Sequence, residues 1–109
     1  MFSLKNKNVL LTGASGGIGK GVAKVLHEKG ANIILSGTNL EKLKQISLEV
    51  GDRTNFITSN LENKEDIDNL SKKAEEINGQ VDILINNAGI TADNLFIRMK
   101  EEEWDKVFT

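Results

Sequence analysis

The chain has 109 residues, with 14 Lys and Arg against 16 Asp and Glu, one histidine and no cysteine. That length with 39% apolar residues suits one domain with a buried core, while the net charge of -2 offers no basic footprint for nucleic acid and the lack of cysteine excludes disulfides, thiol nucleophiles and thiolate metal sites. No apolar run approaches the length of a membrane span and residues 1–5 carry no leader-like apolar stretch, so the expectation is a cytoplasmic protein without membrane contact.

Residues 8–12, Asn-Val-Leu-Leu-Thr, form a short continuous apolar run of the kind buried on both faces of a parallel sheet. Residues 18–29 then carry helical spacing, with Ile18, Val22, Val25 and Leu26 as the expected apolar face and Gly30 as the stop. His27 follows Leu26 and reads as a solvated surface side chain, a single histidine being unable to make a metal cluster alone. Residues 32–36 give a second strand, and Thr38-Asn39-Leu40-Glu41 has the Thr-x-x-Glu form of a capping box opening a helix through Val50. Residues 55–59 make a weaker third strand. Ile67, Leu70, Ala74 and Ile77 mark one face of a third helix, with Asn63 and Asp66 suited to its start and Asn78-Gly79 to its end. Residues 81–86 are the fourth strand, and residues 91–100 are expected to be a loop. Strands alternating with helices of this length require right-handed crossovers, so the expected fold is α/β, a doubly wound parallel sheet of Rossmann type.

The first strand meets the first helix through Gly13-Ala14-Ser15-Gly16-Gly17-Ile18-Gly19. Glycine serves where the backbone takes positive φ or lies against a ligand, and a helix starting after such a turn presents free N–H groups and the positive end of its dipole to an anion. A pyrophosphate fits that description, against the plainer reading of a strand-to-helix turn. Gly13, Gly17 and Gly19 fall as G-x-x-x-G-x-G, which differs from the general dinucleotide fingerprint G-x-G-x-x-G.

Thr12-Gly13-x-x-x-Gly17-x-Gly19, with Asn86-Asn87-Ala88-Gly89 downstream, resembles the short-chain dehydrogenase/reductase family, and the likeness runs from about Lys5 to Thr109. Residues 87–95 followed by Arg98-Met99-Lys100-Glu101-Glu102-Glu103-Trp104 are similar to the bacterial 3-oxoacyl-(acyl-carrier-protein) reductases of fatty-acid synthesis. The resemblance implies a nicotinamide dinucleotide whose pyrophosphate is wrapped by Gly13, Ala14, Ser15, Gly16, Gly17, Ile18 and Gly19. Asn60 and Leu61 would meet the adenine edge and ring, or else form a polar turn. Asn87, Ala88 and Gly89 would lie along the nicotinamide ribose, while Asn86 ties the strands together.

Family members that prefer NAD tend to carry Asp at the position of Gly37, where a carboxylate bonds the ribose 2′-OH and repels a 2′-phosphate; this chain has no acid there, which favours NADPH. Many NADP-dependent relatives have Arg at the position of Gly16 or of Thr38, and this chain has neither. Thr38 is open to two readings, hydroxyl donor to the phosphate or helix N-cap. Arg98 and Lys100 are either surface cations or a lure for an acidic carrier protein.

The family's reduction uses a Tyr-x-x-x-Lys pair with a Ser and a further Asn, and this chain contains no tyrosine. No catalytic residue and no metal ligand is therefore assigned. Residues 104–109 sit in a helical pattern without a closing signal, so the chain is expected to be the N-terminal portion of one longer dinucleotide-binding domain, incomplete at its C-terminal side. The resemblance implies acyl carrier protein bearing a 3-oxoacyl chain as partner, and a homotetramer for the full-length protein. The alternatives are a short-chain dehydrogenase acting on another small ketone or alcohol, and a cofactor-binding module without catalysis.

Overall fold

A computed structural model of the chain describes residues 2–87 and the backbone of residues 96–99; the positions predicted for Ala88, Gly89 and the segment beyond Lys100 lie outside the described residues. Four apolar runs become parallel strands because a helix joins each to the next and carries the chain back across the sheet. The order is β1 (Asn8–Thr12), α1 (Gly17–Glu28), β2 (Asn32–Gly37), α2 (Leu40–Val50), β3 (Thr54–Thr58), α3 (Lys64–Asn78), β4 (Ile83–Asn86) and β5 (Phe96–Met99). In space the strands lie β3-β2-β1-β4-β5, with Leu10 opposite Ile34 on one side and Leu84 on the other.

Strand alternation divides the core into two layers. Val9, Leu11, Ile33, Leu35, Ile83 and Ile85 pack with Ala23 of α1 and with Leu43 and Ile46 of α2. Leu10, Ile34 and Leu84 pack on the opposite face against Ile67, Leu70 and Ala74 of α3. Helices thus cover both faces, the doubly wound arrangement that the alternation predicts. The chain runs outward from β1 through β2 to β3, then crosses to place β4 on the other flank of β1. The strand order therefore reverses between β1 and β4, whose onward connections lead to opposite flanks, the place where an open α/β sheet forms a ligand crevice at its carboxyl end.

Several local expectations need correction. The sheet side of α1 is Gly19, Val22, Ala23 and Leu26, whereas Ile18 is 73% and Val25 55% exposed. Glycine and alanine let the helix sit close to the strands, so the rotation of α1 follows its smallest residues and not its most apolar ones. Ile77 is likewise turned outward on α3. The start of α2 is capped by Asn39, whose side chain accepts from the Lys42 N–H, and not by Thr38. The Asn63–Asp66 pair does form a reciprocal capping box on α3.

Residues 96–99, expected within a loop, form β5 and pair antiparallel with β4 from Ile83 opposite Met99 to Asn86 opposite Phe96. The connection is too short for a crossover helix, so the chain can rejoin the sheet only by folding back. His27 is not simply solvated: its Nε2 lies 2.9 Å from the Asp52 carbonyl and 3.1 Å from Asp52 Oδ1, and Arg53 donates to the Ala31 carbonyl at 2.6 Å. This cluster ties the end of α1 to the turn between α2 and β3. Among the described residues no helix is long and apolar enough to cross a membrane, and no group of acidic or histidine side chains could hold a metal ion.

Candidate functional site

The site starts where β1 ends. Thr12 is fully buried and its hydroxyl donates to Asn86 Oδ1 at 2.6 Å, which locks the carboxyl ends of β1 and β4 together. This is the tie expected of Asn86. Gly13 then takes φ +65°, a left-handed conformation that turns the chain out of the sheet. Two hydrogen bonds fix the turn from either side: the Ala14 N–H donates to the Ser36 carbonyl at 2.9 Å, and Asn87 Nδ2 donates to the Gly13 carbonyl at 3.1 Å.

The glycines of the loop have different tasks. A Cβ on Gly19 would lie 2.6 Å from Ala14 Cα and 2.7 Å from the Gly13 carbonyl oxygen, so this position is glycine because helix and loop touch there. A Cβ on Gly17 would meet nothing within 4 Å. Neither packing nor a positive φ accounts for Gly17. Gly16 sits at the N-cap of α1 with extended backbone and no side-chain cap, and the first turn contains no acidic residue. The first-turn N–H groups of α1 therefore stand at the positive end of the helix dipole, and no acidic side chain of that turn competes for them.

Beside this cradle is a cavity of about 210 Å³ lined by Gly13, Ser15, Gly37, Thr38, Ser59, Asn60 and Leu61. It gathers the carboxyl ends of β1, β2 and β3, and it brings together five predicted positions: Gly13, Ser15, Thr38, Asn60 and Leu61. Ser59 was missed by sequence reasoning. Its hydroxyl lies 2.6 Å from that of Ser36, which donates to the Ile57 carbonyl at 2.8 Å. A polar residue directly before Asn60 was the one available signal. Because Asn39 caps α2, the Thr38 side chain stays out of the cap and lines the cavity. No carboxylate lines it. Gly37 is buried, and a Cβ there would come within 2.9 Å of Ser15 Oγ, so the glycine leaves that space to the serine hydroxyl.

The remaining predicted positions fall differently. Ile18 is exposed on the first turn of α1 and lines neither the cavity nor the cleft beside it. Ala14 is fully buried with its N–H committed to Ser36, so it shapes the loop from behind. Asn87 braces the loop through the Gly13 carbonyl, while Ala88 and Gly89 lie outside the described residues. An anion cradle next to a nucleoside-sized cavity, at the carboxyl ends of β1, β2 and β3 in an open α/β sheet, fits an adenosine with a pyrophosphate.

A family model described as short chain dehydrogenase matches residues 7–109. A Nodulation protein G of a Rhizobium species is 50% identical over 107 residues, covering 98% of this chain and 44% of that protein. The 3-oxoacyl-(acyl-carrier-protein) reductase FabG of Rickettsia felis is 49% identical, covering 98% of this chain and 43% of that protein. The chain thus spans less than half the length of these curated relatives. Among solved structures, a short chain dehydrogenase from Bacillus anthracis superposes with a TM-score of 0.71 at 34% identity, over 80% of this chain and 36% of that one. A short-chain dehydrogenase/reductase from Brucella melitensis gives 0.74 at 33% identity, over 83% of this chain and 39% of that one.

Proposed function

The chain belongs to the short-chain dehydrogenase family, and from that premise we propose that it is the cofactor-binding portion of an NADPH-dependent reductase that converts 3-oxoacyl-acyl-carrier-protein to the 3-hydroxyacyl product. The bound dinucleotide would supply the hydride. The first-turn amides of α1 hold its pyrophosphate, and Gly17 leaves room for the close approach. Asn60 and Leu61 flank the adenine, and Thr38 offers a hydroxyl to the ribose side. Asn87 holds the glycine loop through the Gly13 carbonyl. The observation that carries the NADPH reading is the cavity at the end of β2, where Gly37 and Thr38 present no carboxylate to a 2′-phosphate. The acyl-carrier-protein substrate rests on the Rickettsia relative's name and on residues 87–104.

On this reading the whole protein is a cytoplasmic homotetramer whose Ser, Tyr, Lys and further Asn follow Thr109, so proton delivery to the carbonyl is not a task of this chain. A second reading, reduction of a different small ketone, draws on the equal likeness to Nodulation protein G. The test is turnover. The full-length protein should oxidise NADPH in the presence of a 3-oxoacyl thioester at least tenfold faster than NADH, and the 109-residue chain should show no turnover because it contains no tyrosine. Turnover by the isolated chain refutes the division of labour, and a full-length protein inert toward 3-oxoacyl thioesters but active on another ketone establishes the second reading.

A further inference from the structure

The resemblance leaves a 2′-phosphate without its usual arginine, since glycine stands at position 16 and threonine at position 38. A dianion needs a compensating cation if it is to bind with advantage over a hydroxyl. The structure has a second cleft, of about 170 Å³, lined by Ser15, Gly16, Lys20, Lys42, Gln45 and Glu49 among others. It adjoins the nucleoside-sized cavity through Ser15, which lines both. Gly16 forms part of its wall, so an arginine at that position would enter this same space. Here the helices on either side provide lysines instead, Lys20 from α1 and Lys42 from α2.

We propose that Lys42, on the first turn of α2, is the residue that recognises the 2′-phosphate, with Lys20 as a second cation restrained by Glu49; this rests on the dinucleotide reading above. Lys20 Nζ forms an ion pair with Glu49 Oε2. The hydrogen bond from Lys20 holds the Glu49 carboxyl below the usual carboxylate range, so it is ionised at neutral pH and offsets the Lys20 charge. Two lysines against one carboxylate leave one net positive charge in the cleft, and that charge belongs to Lys42, which has no ion-pair partner among the described residues. The long flexible stem of lysine suits a compact phosphate, which it meets as a point charge.

The test uses adenosine 2′,5′-bisphosphate and adenosine 5′-monophosphate as probes, titrated calorimetrically into the full-length protein that carries this chain. The two differ only in the 2′-phosphate. Lys42→Ala should reduce the preference for the bisphosphate by about tenfold, the order expected from losing one partly screened contact charge. Gln45→Lys, which adds a cation to the same wall, should raise the preference, a gain that misfolding cannot imitate. Glu49→Gln should raise it too by releasing Lys20. If the wild-type protein prefers the bisphosphate and neither Lys42→Ala nor Gln45→Lys changes the ratio, the Lys42 assignment falls while the dinucleotide reading stands. If the wild-type protein binds neither probe, that reading itself falls and takes the assignment with it.

Discussion

Gly17 and Gly19 lie two residues apart in one turn of α1, and the structure predicts that substituting them has opposite consequences. A methyl group on Gly19 would be placed 2.6 Å from Ala14 Cα, 2.7 Å from the Gly13 carbonyl oxygen and 3.0 Å from Ala14 C. All three are backbone atoms, and the Ala14 N–H is held by Ser36, so the loop cannot yield without breaking its own anchor. Overpacking of a core costs about 1–3 kcal/mol, and contact with pinned backbone puts Gly19→Ala at the upper end. Replacing a helical glycine by alanine returns about 1 kcal/mol, so the net loss is roughly 2 kcal/mol.

For a whole protein of the relatives' length, more than twice that of this chain, 1 kcal/mol shifts Tm by about 2–4 °C, which places the Gly19→Ala midpoint about 4–8 °C below wild type. Gly17→Val adds a larger side chain where a Cβ meets nothing within 4 Å, so its midpoint should stay near that of wild type. Binding reverses the ranking, because the valine stands over the first-turn amides where the pyrophosphate must approach. The assay is thermal unfolding followed by far-ultraviolet circular dichroism, paired with NADPH titration by fluorescence in the full-length protein. Equal midpoints for the two variants, or wild-type NADPH affinity in Gly17→Val, would refute the assignment of one glycine to packing and the other to the ligand.

Gly37→Asp in the full-length protein should move coenzyme preference from NADPH toward NADH by on the order of a hundredfold in the ratio of kcat/KM values, since the carboxylate gains a bond to the 2′-OH and repels a 2′-phosphate. The Ser15 hydroxyl must rotate away from the new Cβ, so the same change in a Ser15→Ala background should fold at least as well; an unchanged coenzyme ratio would place the adenosine ribose elsewhere. The reassigned cap of α2 is checked by urea unfolding: Asn39→Ala should lose about 1 kcal/mol, the usual value of an N-cap side chain, and Thr38→Ala close to none. The reverse order would restore Thr38 as the cap and remove it from the cavity.

The sequence alone determined what depends on neighbours along the chain. Residues 8–12 declare a buried strand by their continuous apolar run, the Asn63–Asp66 pair declares its helix start, and the glycines between Thr12 and Lys20 declare a tight turn into a helix. The alternation of such units entails a parallel sheet with helices on both faces, and thereby the end of the sheet at which the site lies. Tertiary structure decided whatever depends on how closely two elements approach. Only the seating of α1 on β1 shows that Gly19 and Ala23, and not Ile18 and Val25, face the core, because close packing rewards small side chains that a hydrophobic pattern overlooks. Only the pairing of β4 with β5 shows that residues 96–99 rejoin the sheet. The cleft holding Lys20, Lys42 and Glu49 is of the same kind: α1 and α2 lie side by side on one face, so charges more than twenty positions apart converge on a space that no local pattern in the sequence encodes.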